Sequence, residues 1–161
     1  MNIIYMNYKE NPKYFTGERA TKLPPPFPPY HGDEKYIFVS YAHNDSEIVF
    51  PFLKELYDKN MKIWYDEGLR AGENWFSFMK DKIFVCSGFL AFLSPGYISS
   101  PNAVKEIEYA FEKKKPIIAI STEVIALPLN FERIFADESV TIANLNESEK
   151  ISNIIEKILN T

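Results

Sequence analysis

Cysteine is almost absent from this chain. Cys86 is the one thiol in 161 residues, which excludes an intramolecular disulfide framework and disfavours a cysteine-built metal site. Such sparing use fits a reducing compartment. Histidine is nearly as scarce: His31 and His43, with no close cysteine partners, do not make a zinc site. No GxGxxG or Walker pattern occurs, so classical dinucleotide and P-loop binding are unsupported. No apolar run approaches the roughly 20 residues that cross a bilayer. The opening MNIIYMNYKENPK lacks the basic and apolar regions of a secretory signal. Positive charge is also short, with a formal net charge of −4. The one basic run, Lys113 to Lys115, reads as the C-terminal turn of a helix, where cations complement the dipole. A nucleic-acid footprint would be a basic stripe. The expectation is a cytoplasmic protein with neither a membrane nor a nucleic acid as partner.

What is present suits one globular domain: 46% of residues are hydrophobic and 25% charged. Residues 1–34 stand apart, because the run KLPPPFPPYHG holds five of the eleven prolines. Consecutive prolines favour extended polyproline II and stay out of helices and central strands. This part reads as an arm or linker, or as a ligand for an aromatic groove, and 35–161 as the folded domain.

From Lys35 onward strands and helices alternate. YIFVS (36–40), MKIWYD (61–66), GFLAFLS (88–94), PIIAI (116–120) and SVTIANL (139–145) are short, mostly apolar runs suited to strands buried on both faces. Asn44 and Glu47 have capping-box spacing ahead of a helix marked by Ile48, Val49, Phe52, Leu53 and Leu56, which Pro51 is expected to kink. A short helix is expected over 74–85. Ser100 caps a further helix, with Pro101 at its first position and Ala103, Ile107, Ala110 and Phe111 as its buried stripe. Ile151, Ile154, Ile155, Ile158 and Leu159 make the last helix amphipathic. A loop and a short helix are expected over 122–138. Strands alternating with helices imply βαβ units. The fold class is therefore α/β: a flavodoxin-like, five-stranded parallel sheet of order 2-1-3-4-5 with helices on both faces. Sites in such sheets lie beyond the carboxyl ends of the strands, where strand order reverses. Tyr41, Asp66 and the segment from Ser94 to Glu106 should converge there.

Three blocks, YIFVSYAHND (36–45), IWYDEGLRAGENW (63–75) and SPGYISSPNAVKEI (94–107), resemble the Toll/interleukin-1 receptor (TIR) domain in its bacterial, NAD-cleaving form. The sequence also resembles the stand-alone TIR proteins of Thoeris-like antiphage systems. The third block is similar to the S-S-x-W-C-x-x-E-[IL] segment of TIR enzymes, whose glutamate falls on Glu106 and whose serines fall on Ser99 and Ser100. Asn102 stands where many members have tryptophan, and Ala103 where they have cysteine. The resemblance implies an NAD⁺ glycohydrolase or cyclase with Glu106 as its catalytic carboxylate. NAD⁺ would be a substrate and no cofactor would be needed. The product would be ADP-ribose or a cyclic isomer, read as a signal by a separate effector. Self-association through 67–73 is also implied. A non-enzymatic TIR adaptor acting through that loop is the alternative, and a nucleoside deoxyribosyltransferase-like enzyme a third reading.

One carboxylate is chemically enough for NAD⁺. The pyridinium leaves neutral and needs no proton, unlike the leaving group of an ordinary glycoside. The barrier is positive charge developing on the ribose, which a carboxylate can stabilise. Around Glu106, Tyr41 and His43 end the first strand, and His43 either meets substrate or is a loop residue satisfied by water. Asp66 either fixes the following loop through backbone N–H groups or meets substrate. Arg70 at the loop tip could meet a phosphate or a neighbouring subunit. Trp75 could stack on a ring or fill the core. Ser99 and Ser100 lie at a helix N-terminus, and Asn102 sits one turn before Glu106 on the same face.

Overall fold

Strands that must be covered on both faces have little room for polar side chains, and the centre of this molecule follows that rule. The computed structural model describes residues 3–4, 23–67 and 75–161. A two-residue strand, β1 (Ile3–Ile4), comes first, followed by β2 (Ile37–Ser40). A 3₁₀ turn (His43–Asp45) then leads into α1 (Ser46–Asp58). Next come β3 (Ile63–Tyr65), α2 (Trp75–Val85), β4 (Gly88–Leu93), α3 (Pro95–Ile98) and α4 (Pro101–Glu112). The chain closes with β5 (Ile117–Ser121), β6 (Ile125–Ala126), α5 (Leu129–Phe135), β7 (Val140–Asn144) and α6 (Ser148–Asn160).

The main sheet is five-stranded in the order β3-β2-β4-β5-β7, and every pair in it is parallel. Counting only its own strands, this is the expected order 2-1-3-4-5. All residues of β2, β3, β4 and β5 are buried. The period-2 alternation of strand side chains divides them between two cores. Val39, Leu90, Phe92, Ile118 and Ile120 face one way and pack with Phe52 and Leu53 of α1 and with Ile151 and Ile155 of α6. Phe38, Phe89, Ala91 and Ala119 face the other way and pack with Met79, Ile83, Ala103, Ile107, Ala110 and Phe131 from α2, α4 and α5. Gly88 lets α6 approach the sheet, since a Cβ there would lie 2.9 Å from Ile37 Cδ1 and 3.1 Å from Ile158 Cγ2.

Several local expectations are revised. Within 122–138 there is a strand as well as the short helix: β6 pairs antiparallel with β1 in a second, two-stranded sheet. The Asn44 cap of α1 does not form. The chain enters α1 through the 3₁₀ turn with no side-chain cap, and the Asp45 carboxylate instead accepts a hydrogen bond from Ser94 Oγ at 2.5 Å. Pro51 does fall inside α1, as expected, and the helix extends past it to Asp58. Lys115 does serve a helix C-terminus, but that of α2: its ammonium donates to Phe84 O at 2.7 Å and Cys86 O at 2.9 Å.

The described part of the proline-rich stretch lies against the domain. Phe27 is 6% exposed. Its ring stacks on Tyr57 at 4.3 Å and meets Tyr65 edge-on at 5.2 Å. The Tyr65 hydroxyl donates to the Phe27 carbonyl. Tyr30 N–H donates to Ile63 O at 2.9 Å, covering the outer edge of β3. Proline has no N–H to leave unsatisfied, so a polyproline segment can lie on a surface while inserting one aromatic anchor. Phe27→Ala should therefore lower unfolding free energy by about 3–5 kcal/mol, the range for truncating a buried phenylalanine. Chemical denaturation of the whole chain measures this, and a change within about 0.5 kcal/mol would mean that the segment adds nothing to the fold.

Candidate active site

β2 sends the chain to α1 on one face of the sheet, and β4 sends it to α3 and α4 on the other. The carboxyl ends of these strands therefore diverge and leave a crevice. A cleft of about 250 Å³ lies there, lined by residues that follow β2 and β3 and by the first turns of α2 and α4. Tyr41, His43, Asp66, Trp75, Ser100, Asn102 and Glu106 all line it. Ser99 is exposed and is not among the lining residues. Arg70 and most of the 67–73 loop lie outside the described residues.

Glu106 is the unusual member. It belongs to the stripe of α4 formed by Ala103, Glu106, Ile107 and Ala110, a set that helical spacing turns toward the sheet. It is 5% exposed, and glutamate is rarely so buried. Burial pushes its carboxyl up to about 8, helped by the negative charge of Asp66 and opposed by a hydrogen bond from Ser40. Ser40 Oγ donates to Glu106 Oε2 at 2.5 Å and lies 2.8 Å from the Tyr97 hydroxyl. Glu108 points elsewhere and accepts a long hydrogen bond from Asn130 at 3.4 Å near the surface.

The other side chains build the walls. Tyr41 is buried, and its hydroxyl donates to the main-chain carbonyl of Asp66 at 2.5 Å. This ties the end of β2 to the end of β3, and burial pushes the phenol far above its ordinary value. The His43 ring tilts against Tyr41 at 5.2 Å, and its Nε2 lies 3.3 Å from Asp66 Oδ2. Trp75, the first residue of α2, is half-buried. Ser100 caps α4, accepting from Ala103 N–H at 3.3 Å, while Asn102 is exposed. Ala103 is 4% exposed and faces the core, as expected of that position.

Ser40 and Tyr97 escaped the sequence reading. A serine ending an apolar strand at the switch point is a usable signal. Tyr97, on a four-residue helix, carries none, because its place beside Ser40 arises only from the turn at Ser94. The structure gives Cys86 no chemical part: it is buried and its thiol is pushed up to about 11, mainly by that burial. Among the described residues no group of His, Cys, Asp and Glu could hold a metal ion, and no helix is long and apolar enough to cross a membrane.

The fold and cleft define a doubly wound α/β protein with two buried carboxyl groups, Glu106 and Asp66, at its switch point. The family model for the TIR domain matches residues 37–158, and the chain belongs to that family. Among solved structures it is similar to the TIR domain of the Toll-related receptor TRR-2 from Hydra magnipapillata. That match has a TM-score of 0.59 and 16% identity, covering 76% of this chain and 96% of the other. It is also similar to the CMP N-glycosidase BcmB of Clostridium botulinum, with a TM-score of 0.57 and 18% identity, covering 78% of this chain and 100% of the other. At these identities both likenesses speak for the fold. Comparison with curated proteins gives no match.

The buried Glu106 carboxyl has a thermodynamic signature. Its value is 4.5 when free and about 8 when folded, so the unfolded state gives up its proton first as pH rises. The destabilisation is absent below about 4.5 and grows until about 8. Glu106→Gln removes the ionisation and should be more stable than the parent by on the order of 3 kcal/mol at pH 7. The gap should close toward pH 4.5. Unfolding of both proteins between pH 4.5 and 8.5 measures the difference, and a gap independent of pH would contradict the burial of a titrating carboxyl at this position.

Proposed function

We propose that the chain cleaves the nicotinamide–ribose bond of NAD⁺, with Glu106 as the carboxylate that stabilises the positive charge forming on the ribose. The observation that carries the reading is the composition of the cleft. Glu106 and Asp66 both line it, and no lysine or arginine does among the described residues. Such a pocket is built for a cation. Its volume, about 250 Å³, falls just below the 300–1,000 Å³ or so of common ligand clefts. It suits one end of a dinucleotide, the nicotinamide and its ribose, with the rest of the molecule outside.

In this reading the pyridinium enters beside the aromatic faces of Tyr41 and Trp75. Its positive charge favours ionisation of Glu106. The carboxylate accepts hydrogen bonds from the ribose hydroxyls and holds them as the C1′–N bond breaks. Nicotinamide leaves with the electron pair of that bond and needs no proton. Water then adds to C1′ and releases one proton, giving ADP-ribose. If an adenine nitrogen of the same molecule reaches C1′ first, a cyclic isomer forms. We extend the proposal to a nucleotide signal in bacterial antiphage defence, read by a separate effector, on the strength of the three motif blocks. TIR domains commonly self-associate, and assembly through the 67–73 loop is part of the same proposal.

A second reading has a specific observation in its favour. A carboxyl raised to about 8 holds its proton at neutral pH, and a protonated Glu106 could serve as general acid to a neutral leaving base. The CMP N-glycosidase, of the same fold, makes a pyrimidine nucleotide the substrate to try.

One pH series separates the two. Nicotinamide release from NAD⁺ should show kcat/KM rising with pH to a plateau above about 8, because the free enzyme works only when Glu106 is ionised. The corresponding limb of kcat should lie lower, since the bound cation helps ionisation. Glu106→Gln and Glu106→Ala should each lose on the order of 100-fold or more in kcat/KM. For cytosine release from CMP the profile should instead fall on the alkaline side. Nicotinamide release that is unaffected by both Glu106 substitutions would end the NAD⁺ assignment.

A further inference from the structure

We infer that Ser40 and Tyr97 are positioning residues for Glu106: a directional relay, Tyr97 hydroxyl to Ser40 hydroxyl to Glu106 Oε2, that holds one carboxyl oxygen and leaves Oε1 for the ligand. The inference rests on the reading of Glu106 as the working carboxylate.

The direction follows from proton counting. Ser40 Oγ donates to Glu106 Oε2 at 2.5 Å. A serine hydroxyl has one proton, so the 2.8 Å contact between Ser40 Oγ and the Tyr97 hydroxyl must have Tyr97 as its donor. The reverse order, with a protonated Oε2 donating to Ser40 and Ser40 donating to Tyr97, would turn the phenolic proton away from Ser40. Tyr97 is fully buried, and a buried donor without an acceptor is strongly disfavoured. The forward order satisfies every group and directs two successive O–H dipoles at the carboxyl. Hydrogen bonds to the charged form favour it, which offsets part of the burial that disfavours it.

The relay is anchored in the fold. Ser40 ends β2, Tyr97 lies in α3 and Glu106 in α4. A strand end and two helices therefore meet in one hydrogen-bonded line. Tyr97 is held by its own backbone, since its N–H donates to Ser94 Oγ at 3.0 Å. Ser94 Oγ in turn donates to Asp45 at 2.5 Å. Of the ionisable groups around Glu106, Asp66 after β3 opposes its ionisation through its negative charge, while Tyr41 after β2 and Tyr97 are phenols that burial first, and nearby negative charge including that of Glu106 second, keep protonated. His43 lines the same cleft from the 3₁₀ turn, and α2 contributes only Trp75 and Met79. Ser40 is thus the group that favours the carboxylate.

The test measures the protonation of Glu106 directly, as well as turnover. Infrared difference titration follows the carbonyl stretch of the protonated carboxyl, assigned by its loss in Glu106→Gln. Ser40→Ala should raise the midpoint so that the ionised fraction at a given pH falls about tenfold. Tyr97→Phe, which keeps the ring in place, should shift it the same way by less. Ser40→Thr, which keeps the hydroxyl, should restore it. The acid limb of kcat/KM for NAD⁺ should move with the midpoint, and kcat should fall more than KM changes. If Ser40→Ala does not fold, Tyr97→Phe carries the test alone. A midpoint unmoved in the folded variants overturns the relay even if NAD⁺ is still cleaved. A moved midpoint in a protein that cleaves no NAD⁺ upholds the relay and overturns the substrate assignment.

Discussion

A carboxyl group set into the apolar stripe of a helix is the constraint on which this cleft depends. Ala103, Ile107 and Ala110 turn α4 onto the sheet, and the same rotation carries Glu106 in with them. Once there, the carboxyl must be met by something polar, or the helix would turn it back to water. Ser40 meets it because β2 ends at that height, where the next residue, Tyr41, donates its hydroxyl to the end of β3. Asp45 turns toward Ser94 rather than capping its own helix. The missing cap on α1 and the bound carboxyl on α4 thus belong to one arrangement: local helix stability is given up so that the segments after β2 and β4 can be tied together.

The sheet illustrates what hydrophobic pattern can convey. Short apolar runs separated by helical periods leave few topologies open, and β2, β3, β4 and β5 fall within a residue or two of where those runs lie. β1 and β6 were not legible, because two-residue strands have no period to detect. Nor was the packing of Phe27. Five prolines around one phenylalanine look the same whether the segment is free or docked, and docking depends on a slot between Tyr57 and Tyr65 that only the folded domain creates.

The cleft divides along similar lines. Glu106, Tyr41, Asp66 and Trp75 could be assembled from the switch-point rule and the motif blocks, since each sits at an element end whose position topology determines. The misses were residues whose meaning is relational. Ser40 is an ordinary strand-end serine until α4 is laid across it. Tyr97 is an ordinary aromatic until the Ser94 turn brings its hydroxyl within 2.8 Å of that serine. His43 and Asp66, read separately along the chain, turn out to face one another at 3.3 Å.

The unsettled electrostatics of the cleft bear on its use. A buried salt bridge would lower the Glu106 carboxyl, yet among the described residues no lysine or arginine lines the cleft. The one hydrogen bond from Ser40 leaves the group near 8. A cation of the protein's own would stabilise the fold, but it would also occupy the position and cancel the charge that a substrate has to meet. Leaving the carboxyl under-compensated keeps that interaction for the ligand, in the way that functional sites retain local strain. On the proposed reading this also explains why Asn102 can stand at the mouth of the cleft where the resemblance leads one to expect tryptophan. The attraction between a pyridinium and two carboxyl groups acts over distance and tolerates a changed wall, whereas ring stacking does not. Asn102 would then alter how the ring is oriented, and so which nucleophile reaches C1′, more than whether the bond breaks.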